Sequence, residues 1–179
     1  MNILALDLSL TSTGIALTDG ATDKVTTDAA DRLEVRLERI VDGIGKALEY
    51  SRLADNHAAD LIVVEDYVTA SKFSGSVAPV HGAVRLWLWR SAYPVALVAP
   101  ASLKLYATGK GNSNKDAMGI AAMKRAGVDF SGRPDECDAW WLRAMALDAH
   151  GEAMFDMPAA QRAAMEKVKW PDVRAEADR

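Results

Sequence analysis

The sequence predicts an α/β fold whose sheet opens with a three-strand antiparallel meander, and three observations carry that expectation. Short apolar runs alternate along the chain with stretches of helical periodicity, the pattern of strands covered by helices. Three strand-like segments stand close together near the start, joined by connections too short to hold a helix. A later run, residues 61–64, is apolar at four successive positions, as a strand covered on both faces must be.

Taken in order, Ile3, Leu4, Ala5 and Leu6 form a buried strand that closes on Asp7. A Ser/Thr-rich turn leads to strand 14–18, and 24–27 completes the meander. Asp31 is placed as N-cap of a long helix in which Leu33, Leu37, Ile40, Val41, Ile44 and Leu48 recur at helical spacing, ending near Ala54. Strand 61–64 ends in Glu65, and a Ser/Gly-rich loop, 71–76, follows. Helix 77–93 is stopped by Pro94, residues 95–98 form a fifth strand, and Pro100 suits the first turn of the next helix. Gly109-Lys-Gly-Asn-Ser-Asn114 has no apolar anchor and reads as a mobile loop before helices 115–126 and 134–147. A last helix, 158–168, is broken by Trp170-Pro171. Trp140, Trp141, Met118, Met123, Met145 and Met154 are expected in the core, with Cys137 a small buried residue. Trp87 and Trp89 lie about 200° apart on a helix, so they cannot share a face and one is left for a partner subunit.

At 179 residues, 50% apolar and 26% charged, the chain has the size and composition of one globular domain, residues 1–150, with a helical extension and charged tail at 151–179. A lone cysteine and three histidines argue against a disulfide framework and against zinc. The start has no basic lead, and no apolar run approaches the roughly 18 residues of a membrane span, so a cytoplasmic protein without a membrane partner is expected.

Acids inside strand patterns are the informative anomaly, because a carboxylate among buried residues is costly without a compensating cation or donor. Asp7 and Glu65 each close a strand, so in neighbouring strands both emerge at the same end of the sheet. A third group opens a helix, where Asp135 and Asp138 share a face at i, i+3 and Glu136 points away. Each acid also has a plain structural reading. Asp7 can cap the turn at 9–13, Asp135 can cap its helix, and either Glu65 or Asp66 can simply face solvent. Together, oxygen donors with few His or Cys suit Mg²⁺ or Mn²⁺. Two such ions about 4 Å apart can hydrolyse a phosphodiester without a histidine base.

These blocks resemble the RuvC family of Holliday junction resolvases, in particular its phage-type members, within the RNase H-like nuclease superfamily. The match rests on Ile3-Leu-Ala-Leu-Asp7 with Thr13-Gly14, on Ile62-Val-Val-Glu65, on the stretch from Lys104 to Lys115, and on Asp135-Glu-Cys-Asp138. The resemblance implies an RNase H-like fold, a mixed five-stranded sheet in which two parallel strands join the meander, flanked by helices. It implies two Mg²⁺ ions, with Mn²⁺ able to substitute, held by Asp7, Glu65, Asp135 and Asp138. It places a lysine in a Pro-x-x-x-Lys context, Lys104, and another after the flexible loop, Lys115. Lys115 is then free to swing to the cleaved phosphate and is grouped with the acids as catalytic. Leu8-Ser9 stands where the cellular enzymes have Pro-Gly, and Val68 where they carry an aromatic wedge, a part left here to Tyr67 or Phe73. The implied activity is resolution of four-way DNA junctions by paired nicks, performed by a homodimer because a junction offers two symmetric strands. Forks, flaps or RNA/DNA hybrids are the alternative substrates. An actin-like phosphotransferase and a junction-binding module that does not cut are the more distant alternatives.

Charge supports a DNA partner once it is read by region. The whole chain is at −4, which argues against nucleic acid. Residues 67–125, however, carry 8 basic and 1 acidic side chains, net +7, between the acid blocks. Lys72, Phe73, Lys104, Lys110 and Lys115 are the candidate DNA contacts. The loop before Lys115 lacks the second glycine of a Walker A motif, so no nucleotide cofactor is expected.

Overall fold

The computed structural model describes residues 1–67 and 74–173. Five strands form one mixed sheet: β1 (Ile3–Asp7), β2 (Ser12–Ala16), β3 (Thr22–Thr26), β4 (Leu61–Glu65) and β5 (Val95–Val98), in the order β3-β2-β1-β4-β5. The first three are antiparallel, and β4 and β5 run parallel to β1. The helices are α1 (Leu33–Asp55), α2 (Ser74–Arg90), α3 (Pro100–Thr108), α4 (Lys115–Ala126), α5 (Pro134–Ala149) and the single turn α6 (Ala159–Arg162), followed by a 3₁₀ turn, Met165–Lys167.

The alternation of a strand separates two cores. Leu4, Leu6, Ile62 and Val64 pack with Ile40 and Ile44 of α1 and Val80, Val84 and Leu88 of α2. Ile3, Ala5, Leu61 and Val63 face the other way, onto α3, α4 and α5. Parity then decides where the acids point. Asp7 is in step with Ile3 and Ala5, and Glu65 with Leu61 and Val63, so both carboxylates leave the sheet on the α5 side. The parallel register Ala5↔Val63 and Leu6↔Val64 sets them side by side.

Helix α5 crosses β1 and β2 at short range because the sheet has small residues beneath it. Ala5 and Ala16 lie under the helix, and at Gly14 a Cβ would stand 2.1 Å from the carbonyl oxygen of Asp135. Gly14 is the strand partner of Asp7. The glycine therefore fixes the start of α5, and with it Asp135, beside Asp7.

Several boundaries differ from expectation. The long helix starts at Leu33 with Arg32 at the cap position and no side-chain cap, so Asp31 pairs instead with Arg39 at 3.0 Å. The expected helix 158–168 is only the turn α6 and the 3₁₀ turn. Met157, just before this stretch, and Ala164 and Val168 within it are buried in the same core as α3 and α5. Met118 and Met145 are core, but Met123, which lines a groove beside α4, and Met154, beyond the end of α5, are 45% and 42% exposed. Trp140 and Trp141 are buried, Trp87 packs near Gly45 of α1, and Trp89 is 75% exposed. No described helix is long and apolar enough to cross a membrane.

Gly14→Ala is expected to lower the unfolding free energy by about 1–3 kcal/mol, the usual cost of overpacking. Urea denaturation measures this, and an unchanged midpoint would show that α5 tolerates a wider seat.

Candidate active site

Four carboxylates and two lysines converge on one pocket of about 260 Å³ at the carboxyl ends of β1 and β4, lined by Asp7, Glu65, Asp135, Asp138, Lys104 and Lys115 with Ser9, Pro100 and Met118. Size alone does not locate this site. Two wider grooves of about 630 and 640 Å³ flank α4, but neither gathers carboxylates from separate strands.

Two of the plain structural readings, a turn cap for Asp7 and a helix cap for Asp135, do not hold. The turn after β1 is closed by its own hydroxyls, with Ser9 Oγ accepting from the amides of Thr11 and Ser12, and Thr13 Oγ1 donating to the Ser9 carbonyl at 2.9 Å. Asp7 is not needed there. Helix α5 has Arg133 at its cap position and no side-chain cap, so Asp135 does not serve as one. Its Oδ1 accepts from Lys115 Nζ at 2.7 Å instead. Asp138, one turn further on, is 8% exposed, and its Oδ1 has no hydrogen-bond partner. Glu136 points away as expected, bonded to Thr22 Oγ1 of β3 at 2.7 Å and to Arg133 at 3.3 Å.

The electrostatics are those of buried, crowded carboxyls that two lysines only partly offset. Burial, then Glu65, Asp138 and Asp135, hold the Asp7 carboxyl well above the usual range. Burial and the charge of Asp138 push Glu65 up to about 7, against the pull of a hydrogen bond from Asp7 and of Lys104 and Lys115. Asp138 is raised to about 6 by burial, with the two lysines opposing and Asp135 adding to the rise. Burial works against the charge of Lys115, yet its bond to Asp135 and the charges of Asp135, Asp7 and Asp138 raise it overall.

Among the described residues no group of three or more His, Cys, Asp or Glu side chains stands in an arrangement that could hold a metal ion. Lys115 engages Asp135, and Asp7 shares a hydrogen bond with Glu65. The donor set nevertheless fits a hard divalent cation. It is all carboxylate, three of its members are raised by burial and mutual repulsion, and the buried Asp138 Oδ1 is orphaned.

The basic residues divide. Lys104 and Lys115 line the acid pocket, whereas Lys110 is exposed on the loop between α3 and α4 and lines the neighbouring groove with Lys124 and Arg125. Lys72 and Phe73 lie outside the described residues. The loop expected to be mobile is tied by Thr108 Oγ1 to Ser113 Oγ at 2.6 Å and by Ser113 Oγ to the Lys110 carbonyl at 3.0 Å. Asn114 then caps α4 through the Ala117 amide at 2.9 Å. Lys115 follows directly, its side chain 58% exposed and paired with Asp135. Sequence reasoning missed Ser9 as a pocket residue, although the Ser/Thr run directly after Asp7 was the available signal.

A mixed sheet in the order β3-β2-β1-β4-β5, flanked by helices and with acids at the ends of β1 and β4 and on the helix crossing them, has the RNase H-like architecture. Comparison with known proteins narrows it. No protein-family model matches the chain. The crossover junction endodeoxyribonuclease RuvC of Pseudarthrobacter chlorophenolicus is 30% identical over 151 residues, covering 78% of this chain and 76% of its own length. The protein of that name from Paenarthrobacter aurescens is 29% identical over 191 residues, covering 100% and 98%. The Thermus thermophilus RuvC structure superposes with a TM-score of 0.64 at 17% identity over 86% of this chain and 98% of that one. The same protein in complex with Holliday junction substrate gives 0.65 at 18% over 84% and 96%. The solved structures carry the fold. The sequence relatives carry the family: this chain belongs to the RuvC family of crossover junction endodeoxyribonucleases.

The raised carboxyls make stability depend on pH with a definite sign. A carboxyl raised in the folded state contributes stability that is complete below its unfolded value near 4 and is lost as pH rises through about 6 for Asp138 and 7 for Glu65. In EDTA, Glu65→Gln should therefore be more stable than the parent by about 1–3 kcal/mol at pH 8 and no more stable at pH 4. Thermal unfolding across that range reads the difference, and equal midpoints at pH 8 would contradict it.

Proposed function

We propose that this chain is a divalent-metal-dependent endonuclease that resolves four-way DNA junctions by paired nicks. The observation that carries this reading is the convergence of Asp7, Glu65, Asp135 and Asp138 with Lys104 and Lys115 in one pocket, in a chain of the RuvC family. Asp7, Glu65, Asp135 and Asp138 would hold Mg²⁺, as two ions with Mn²⁺ able to substitute. Bound there, the metal supplies Lewis-acid activation of water and neutralisation of the phosphodiester.

The chain's own residues do the rest. Asp7 and Glu65, on central strands of the sheet, fix one side of the pocket. Asp135 and Asp138 fix the other from a helix seated on Gly14. Lys115 stands on Asp135 and has the side-chain reach to exchange that carboxylate for a phosphate oxygen, where it offsets charge developing in the transition state. Lys104 presents a second ammonium to the same pocket. Lys110, Lys72 and Phe73 are proposed DNA contacts outside the pocket, and the net +7 of residues 67–125 draws the phosphate backbone.

Paired nicks need two pockets, and we assign the homodimer face to α2. Gly82, Leu86 and Trp89 make an exposed stripe at helical spacing, with no atom within 4 Å of a Cβ at Gly82, so a second helix can approach closely.

With Mg²⁺ the protein is expected to nick a mobile four-way junction symmetrically, faster than a fork, a flap or an RNA/DNA hybrid, and EDTA is expected to stop it. Mapping the cuts on all four strands is the measurement, and a junction left intact in both Mg²⁺ and Mn²⁺ would sink the reading. Asp7→Asn and Asp138→Asn should lose cleavage while retaining junction binding, and Lys115→Met should slow it about 10²–10³-fold. Trp89→Glu is expected to convert dimer to monomer in light scattering, and a dimer that persists would place the interface elsewhere.

A further inference from the structure

The residues after α5 tie together the three helices that supply the pocket. Arg162 of α6 sets its Nε 2.9 Å from Asp148 Oδ2 and 3.1 Å from Oδ1, near the end of α5. Asp148 Oδ2 also accepts from the hydroxyl of Tyr106 in α3 at 3.1 Å. Tyr106 is buried edge-on against Trp141 of α5, and burial followed by the charge of Asp148 keeps its phenol protonated as a donor. One residue earlier, the buried Gln161 accepts from Arg125 Nη2 at 2.9 Å, at the end of α4. It also lies against Gly109, the cap of α3, where a Cβ would stand 3.5 Å from its Nε2.

We propose that Gln161 and Arg162 are positioning residues for the active site: through Arg125, Gly109, Asp148 and Tyr106 they lock α3 and α4 onto α5 and so hold the ammonium groups of Lys104 and Lys115 at the acid pocket. This rests on the nuclease reading above. The physical argument is an asymmetry in support. Asp7 and Glu65 sit on strands paired on both sides, whereas Lys104 is on a nine-residue helix too short to persist without tertiary packing. A displacement of about 1 Å at a charge-stabilising group is enough to cost on the order of 10²-fold in rate.

The test compares the full-length parent with Arg162→Met, Arg162→Lys, Gln161→Ala and Tyr106→Phe at 25 °C. Single-turnover cleavage, KM for the junction, the Mg²⁺ concentration at half-saturation, and hydrogen exchange of the α3 amides are measured. Arg162→Met should lower kcat about tenfold, with KM and metal half-saturation within about twofold. Gln161→Ala and Tyr106→Phe should each lower kcat several-fold, and Arg162→Lys should restore most of the rate. Exchange in α3 should quicken about tenfold while that in β1 and β4 holds. Should Arg162→Met fail to fold, Tyr106→Phe, which deletes one oxygen, decides the outcome. Unchanged kcat alongside a lower melting temperature would overturn the proposal, since the network would then only stabilise the fold. If the parent itself cuts no DNA, the nuclease reading falls, and amine acylation judges the positioning alone. Lys104 and Lys115 must then react several-fold faster in Tyr106→Phe than in the parent, with Lys124 unchanged, or the proposal is overturned.

Discussion

The backbone of Asp135 resting on Gly14 is the contact from which the rest of the site follows. Antiparallel pairing places Gly14 opposite Asp7, so a helix that lands on the glycine necessarily begins beside that acid. Parallel pairing of β1 with β4 then brings Glu65 to the same place, and one further turn of α5 delivers Asp138. Three distant stretches of chain thus meet through strand pairing and through one position that lacks a side chain. The seat is kept low by Ala5 and Ala16, while the bulk that seals the layer sits on the helix as Trp140 and Trp141. Large residues on the strands and small ones on the helix would have buried similar area, but would have lifted the acids apart.

That geometry opposes stability locally. Burial and mutual repulsion raise three carboxyls together, and none of the four acids closes a turn or caps a helix. Apart from the Lys115–Asp135 pair and the hydrogen bond between Asp7 and Glu65, their ionised forms are a cost to the fold above the raised pKa values. Sequences specify structures by agreement among local preferences, and the places where agreement breaks are where function is to be sought. Helix α5 absorbs the cost, since it is buried from Glu136 to Leu147.

Much of this was legible in the sequence, for reasons tied to particular residues. The strands announced themselves by unbroken apolar runs, and Asp7 and Glu65 stood out because each interrupts such a run. The two-sided burial of the strands hid the parity that points both acids toward α5, since a run apolar at every position has no preferred face. The C-terminal stretch misled for a different reason. It reads as one helix ending before Trp170-Pro171, but the backbone forms two short turns there, with Met157, Ala164 and Val168 in the core. Asp31 looked like a cap because acids favour that position, yet a nearby arginine claimed it. No sequence signal marked Asp148, Tyr106 and Arg162 as a unit, because their meeting depends on tertiary placement alone.

The opening contradiction between a negative chain and a polyanionic partner resolves into a division of labour by element. The acids are on central strands of the sheet and on a helix embedded in the core. The basic groups are on α3, on α4 and at the surface, where side chains retain reach. A cation site needs fixed ligands, because small errors in spacing cost coordination. A phosphate backbone that arrives and departs needs partners able to exchange, and Lys115 has such a partner already in Asp135. Total charge averages over these two populations and conceals both. The distinction that matters is which charges the sheet and its crossing helix carry directly and which stand on α3 and α4, whose placement depends on tertiary packing.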